Sequence, residues 1–174
     1  MSPGFDFAGD LVRVGLANQT TMLSGESLAI AGQVRESVLK RYGETELAAH
    51  FRTFDTICSA TQERQDAVLR LLETRPDLMI VVGGYNSSNT THLAALSREH
   101  GVPTYHIEDA AAVDIETGAL RHQPAIKTPE ASATGWLEGV KSIGITAGAS
   151  TPNNKIGETI LRVCAVAGVE PSLP

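Results

Sequence analysis

The stretch from Leu78 to Leu93, LMIVVGGYNSSNTTHL, constrains the fold more than any other part of the chain. Its first five residues are apolar without alternation, which describes a strand buried on both faces, and such strands belong to parallel sheets covered by helices. Two glycines and a tyrosine end the run. Small polar residues from Asn86 to Thr91 follow before apolar residues return. A strand feeding a helix through a short polar loop is the repeating unit of an α/β domain.

The rest of the chain fits that unit. LVRVGLA (Leu11 to Ala17) predicts a short strand, followed by the polar turn NQTTMLSGES and a helix from about 26 to 42. Leu28, Ala31, Val34 and Val38 share one face of that helix, and Gly43 ends it. The stretch ETELAAHFRTFDTIC links to a second helix, about 60 to 74, with Ser59 and Gln62 spaced as a capping box and Val68, Leu71 and Leu72 as its apolar face. The helix after the opening motif ends at His100-Gly101, and PTYHI is a further strand. Residues 108 to 140 are the least periodic and contain Pro124 and Pro129, so they read as a long connection with one helical turn near Trp136. Ser142 to Ala147 is the last strand and Ile156 to Ala167 the closing helix. The expected fold is α/β, with parallel sheets, flanking helices and right-handed crossovers.

Charge and composition narrow the function. A net charge of -6 and a pI near 5.3 disfavour a nucleic-acid binder, since no basic stripe exists to displace counterions from phosphates. No apolar run approaches the roughly 18 residues of a membrane span. The N-terminal MSPGFDFAGD lacks the pattern of a targeting signal, so a reducing cytoplasmic or organelle-matrix setting is expected. Of the two cysteines, Cys164 shares a helical face with Ile156 and Ile160 and reads as core. Cys58 stands where a helix begins, where backbone N–H groups lower a thiol pKa, although a buried thiol is the commoner outcome for such a residue.

Ligands in open α/β sheets bind outside the carboxyl ends of the strands. Four loops qualify: Asn18 to Thr21, Cys58 to Gln62, Tyr85 to Thr91, and Thr146 to Thr151. All are rich in hydroxyls and amides and free of charge, with Arg64 the nearest basic residue. That pattern suits an anion held by hydroxyls, backbone N–H groups and helix dipoles rather than by ammonium groups. The same residues are also the preferred helix caps, so any one loop is explained without a ligand. No Walker sequence, Gly-x-Gly-x-x-Gly or Gly-x-Ser-x-Gly is present. His106 and Glu108, in YHIED, are a further polar pair at a strand end.

Taken in order and spacing, VGLANQTTMLSGES, FDTICSATQERQDAV, VVGGYNSSNTTHL and GITAGASTP resemble the C-terminal half of the LytB-type 4-hydroxy-3-methylbut-2-enyl diphosphate reductases, in wording most like the plant and cyanobacterial branch. The resemblance implies a three-domain trefoil. Residues 1–52 would be the second half of the middle α/β domain and 53–174 the third. It also implies a 4Fe-4S cluster held by three cysteines, of which Cys58 matches one. The implied reaction removes the allylic hydroxyl as water with two electrons from a donor such as ferredoxin or flavodoxin, yielding isopentenyl and dimethylallyl diphosphate. Ser87, Ser88, Asn89 and Ser150 match residues that hold the diphosphate, and Thr20 matches the threonine that orders substrate and water.

The expected departure is large. The other two cluster cysteines, the substrate histidines and the proton-relaying His-x-Glu have no counterpart, because His106-Ile107-Glu108 follows the NSSN loop and so falls in a different domain. The resemblance therefore implies a fragment that is inactive without the N-terminal half, the alternative being a non-catalytic diphosphate-binding domain. A strand at 11–17 lacking sheet neighbours implies a chain that self-associates or needs a partner.

Overall fold

The structure, a computed structural model, describes residues 3–18, 24–54, 56 and 59–171. Its contacts fall into two units, Met1–Cys58 and Ser59–Pro174.

The first unit holds helix α1 (Phe7–Asp10), strand β1 (Val14–Ala17), helix α2 (Ser24–Tyr42), the single turn α3 (Leu47–His50) and strand β2 (Phe51–Phe54). β1 and β2 pair in parallel, Val14 opposite Phe51 and Ala17 opposite Phe54. β1 begins three residues later than expected because the Val12 amide bonds back to Asp10 O at 2.9 Å as the chain leaves α1. β2 lies where a linking stretch was expected, and its pairing with β1 places it in the unit Met1–Cys58. Ala31 and Val38 are buried and Val34 half-buried, but Leu28 is 64% exposed, so the expected apolar face of α2 is covered only over its later turns. Leu11, Val12, Ile30 and Phe54 are exposed as well.

The second unit contains α4 (Ser59–Glu73), β3 (Leu78–Val82), α5 (Ser88–Glu99), β4 (Thr104–Ile107), a 3-10 turn (Ala110–Ala112), β5 (Leu120–His122), β6 (Ala131–Ala133), β7 (Ile143–Ala147) and α6 (Asn153–Ala167). The LMIVV run is β3, the centre of a parallel sheet ordered β4-β3-β7 and buried along its whole length. Its alternating side chains feed two cores. Leu78, Ile80 and Val82 pack with Ile107, Val113, Leu120, Trp136 and Val163, whereas Met79 and Val81 pack with Val68, Leu72, Leu93 and Ala94 of α4 and α5. Each such side chain contributes about 1.5–3 kcal/mol relative to exposure.

Glycine in β7 leaves room for side chains of β3 and α4. A Cβ at Gly144 in β7 would collide with the Met79 sulfur and with Leu71 of α4. At the other end of the strands, Asp77 Oδ2 accepts from the Lys141 and Ser142 amides, both at 2.9 Å, and from Ser142 Oγ at 3.0 Å. These bonds, the Lys141 amide first, hold the Asp77 carboxyl below the usual carboxylate range.

Local expectations are corrected in two places, residues 108–140 and Cys164. Residues 108–140 are not a loose connection: Asp109 caps the 3-10 turn, β5 and β6 form an antiparallel pair, and Trp136 Nε1 donates to Gly118 O at 2.9 Å. The helical turn expected near Trp136 is two successive turns closed by Glu138 N to Gly135 O and Val140 N to Leu137 O. The capping box expected at Ser59 and Gln62 falls on a side chain, that of Ser59, outside the described ones, and Gln62 Nε2 donates to Asp66 Oδ1 at 2.7 Å. Cys164 is half-buried rather than core and lines an apolar cleft of about 450 Å³ with Ile143, Ile145 and Val163. Among the described residues, no helix is long and apolar enough to cross a membrane.

Candidate functional site

All three strands of the main sheet are parallel, so the segments leaving β3, β4 and β7 emerge at one edge. Two of them close on a single side chain, the buried Thr90 in the first turn of α5. Gly83, at φ 145°, leaves no room for a Cβ, which would lie 2.7 Å from Thr151 Oγ1 and 2.8 Å from Thr90 Oγ1. A Cβ at Gly148 would collide with Thr90 Oγ1 outright. That hydroxyl donates to Ser87 Oγ at 2.9 Å, and Ser87, the N-cap of α5, also accepts from the Thr90 amide at 3.4 Å. Gly148→Ala should therefore cost about 1–3 kcal/mol by overpacking. Urea unfolding reads the loss, and an unchanged midpoint would mean that the loops are not locked on Thr90.

Asn89 ties the two loops together. Its Oδ1 accepts from the Ala149 amide at 3.0 Å, which fixes the carboxamide, and its Nδ2 is buried with no partner. Among the described residues Ser27, Gln65 and His122 also have an unpartnered buried atom, but only Asn89 is bound across from one strand-end loop to the other. An amide N–H₂ left unpaired in a residue only 4% exposed is costly, and an acceptor placed there would relieve it. The first amides of α5 lack intrahelical acceptors for the same geometric reason that makes helix N-termini receptive to anions.

Beside this lies a cleft of about 180 Å³ lined by Gly83, Gly84, Glu108, Ser150, Thr151, Pro152 and Lys155. Of the expected site residues, Ser150 lines the cleft, Ser87 is the half-buried cap, Ser88 is exposed in the first turn of α5, and Asn89 is buried behind them. Thr20 and Cys58 lie outside the described residues. Outside the four uncharged loops, Lys155 stands on the cleft's rim, its Nζ 3.4 Å from Asp109 Oδ2. It escapes a sequence reading that begins the last helix at Ile156, since α6 begins at Asn153 and brings residue 155 into its first turn.

His106 and Glu108 divide their roles. Glu108 lines the cleft, whereas His106 is buried beneath it, its Nε2 2.9 Å from Gly83 O and its ring edge-on to Tyr85 at 5.0 Å. Tyr85 Oη donates to Glu130 Oε1 at 2.8 Å, and burial followed by that contact pushes the phenol well above its ordinary value. Burial lowers the His106 pKa, partly offset by the Gly83 bond and reinforced by Arg98. A lowered native value means that this contribution to stability is complete above about pH 6.5, the unfolded value, and is lost as pH falls through the native one. His122, lowered by burial and then by Arg98, acts in the same sense. His106→Gln, which keeps an N–H donor, should flatten the fall in melting temperature between neutral and mildly acidic pH. An identical fall in wild type and variant would contradict this.

Among the described residues no group of three or more His, Cys, Asp and Glu side chains could hold a metal ion. An open parallel sheet with a polar cleft at its carboxyl edge defines an α/β domain of the kind that takes its ligand at strand-end loops. A family model described as LytB protein matches residues 5–163, and the chain belongs to that family. Relatives named 4-hydroxy-3-methylbut-2-enyl diphosphate reductase include those of Thermosynechococcus vestitus, 48% identical over 97% of this chain, and Gloeobacter violaceus, 47% identical over 95%. This chain spans 42% and 40% of their respective lengths. A solved structure of (E)-4-hydroxy-3-methyl-but-2-enyl diphosphate reductase, the terminal enzyme of the non-mevalonate pathway, matches 90% of the chain and 46% of its own at 33% identity and TM-score 0.50. The Plasmodium falciparum reductase structure, at 23% identity and TM-score 0.62, covers 87% of the chain and 39% of its own, and shares the fold.

Proposed function

We propose that this chain acts as the C-terminal part of a 4-hydroxy-3-methylbut-2-enyl diphosphate reductase and that its strand-end loops hold the substrate's diphosphate. The observation that carries the reading is Asn89, whose fixed and buried carboxamide has an unpaired N–H₂ donor. Ser87, Ser88 and Ser150 would add hydroxyl donors. A diphosphate carries roughly two to three negative charges, and each charge-assisted hydrogen bond to it contributes about 1.5–3 kcal/mol. In this reading residues 1–52 complete a middle domain and 53–174 form the third, Thr20 orders substrate and water, and Cys58 is one of three thiolates on a 4Fe-4S cluster. The electron donor is of the ferredoxin or flavodoxin type, and the products are isopentenyl and dimethylallyl diphosphate.

This chain alone does not fit a cluster. It has two cysteines, and the described one, Cys164, lines an apolar cleft on α6, whereas a cluster takes three or four thiolates. The full-length protein's N-terminal part would supply the rest.

The diphosphate reading is tested by titrating the isotopically labelled chain with inorganic pyrophosphate and following its amide resonances. Saturable shifts at residues 84–91 and 148–155 with a millimolar dissociation constant are expected for a partial site. The absence of any shift there would contradict the reading. A micromolar constant would favour the second reading, a self-sufficient diphosphate-binding domain, which draws support from the closure of these loops wholly within the second unit.

A further inference from the structure

We propose that Lys155 is a specificity residue of this cleft, its ammonium leaving Asp109 to contact the outer phosphate of a diphosphate and so distinguishing two phosphates from one. The inference rests on the cleft's holding a diphosphate. Lys155 is the one cationic residue among those described that line it, and the acidic Glu108 shares the rim. With Asp109 beside them, the rim without Lys155 would carry only carboxylates and repel an anion.

The geometry makes the lysine, not the carboxylate, the moving part. Asp109 is pinned because its Oδ1 accepts from the Ala111 amide at 3.0 Å as the cap of the 3-10 turn. Its Oδ2 is 3.4 Å from Lys155 Nζ, and both side chains are 40% exposed. An exposed pair of this kind contributes little, so a bound phosphate competes with Asp109 at small cost. The Lys155 backbone amide is already bonded to Pro152 O at 3.1 Å, which leaves the flexible side chain as its contact with a ligand. In this arrangement one phosphate would take the α5 side, where Asn89 lies buried behind Ser87, and the other Lys155 in the first turn of α6, whereas orthophosphate would take only one of the two.

The test is a chemical-shift titration of the full chain with pyrophosphate and, separately, orthophosphate. Lys155→Gln should weaken pyrophosphate about tenfold and orthophosphate less than twofold, and Lys155→Arg should stay within about threefold of wild type. Asp109→Asn keeps a side-chain oxygen for the cap but frees the ammonium, so it should tighten pyrophosphate about two- to threefold, and the gain should vanish in the Asp109→Asn/Lys155→Gln double variant. A merely structural pair would lose affinity in both single variants. Pyrophosphate binding by Lys155→Gln equal to wild type, with Asn89→Asp having lost it, would overturn the lysine inference and leave the cleft reading standing. Absence of pyrophosphate binding in wild type would overturn the cleft reading itself, and the lysine inference with it.

Discussion

Asn89→Asp is expected to weaken pyrophosphate binding about 100-fold, enough to erase the shifts at residues 84–91, in a chain that still folds but melts lower because its carboxylate is buried with one oxygen unpaired. The substitution is nearly isosteric, and its carboxylate can still accept from the Ala149 amide that Asn89 Oδ1 holds at 3.0 Å. An acidic residue in the first turn of a helix also suits the dipole. What changes is the second atom. The unpaired Nδ2 donor becomes an anionic oxygen, so the ligand loses a charge-assisted bond worth about 1.5–3 kcal/mol and meets a like charge. A folded variant that still binds would remove Asn89 from the site.

Trp136→Ala is expected to destabilise the second unit by about 3–5 kcal/mol, a large fraction of the 5–15 kcal/mol that holds a domain together. Trp136 is 6% exposed, packs in the core beneath β3, and anchors the 108–140 segment through Gly118 O. Trp136→Phe retains most of the packing and should lose only about 1–2 kcal/mol with the hydrogen bond. The chain's one tryptophan is removed in both variants, so circular dichroism in urea reads the loss. A loss below about 1 kcal/mol in Trp136→Ala would return residues 108–140 to the status of a surface connection.

The contrast between LMIVV and this segment shows what the sequence can reveal. Five unalternating apolar residues admit few environments, and β3 occupies the expected one. β5 and β6 are three residues each, LRH and ASA, too short for any period, and only pairing with one another and docking near Trp136 gives them structure. β2 escaped for a similar reason, since FRTF buries only Phe51 and its pairing with β1 spans more than thirty intervening residues. Ser87 shows the limit of reading loops: it is a helix cap, as its residue type alone suggests, and nothing in its spacing separates a cap from an anion ligand. Asn89 differs through its bond to Ala149, sixty residues away, which no local pattern encodes. Leu28 misleads in the other direction, for helical periodicity says which residues share a face but not whether anything covers it.

That this chain forms the C-terminal part of a reductase is tested by turnover. The N-terminal part of the Thermosynechococcus vestitus relative, joined ahead of this chain and reconstituted anaerobically with iron and sulfide, should reduce 4-hydroxy-3-methylbut-2-enyl diphosphate within about tenfold of the relative's own rate. Cys58→Ser in the same protein should abolish turnover. A folded, cluster-loaded joined protein that turns over no substrate, or one whose activity survives Cys58→Ser, would contradict the claim.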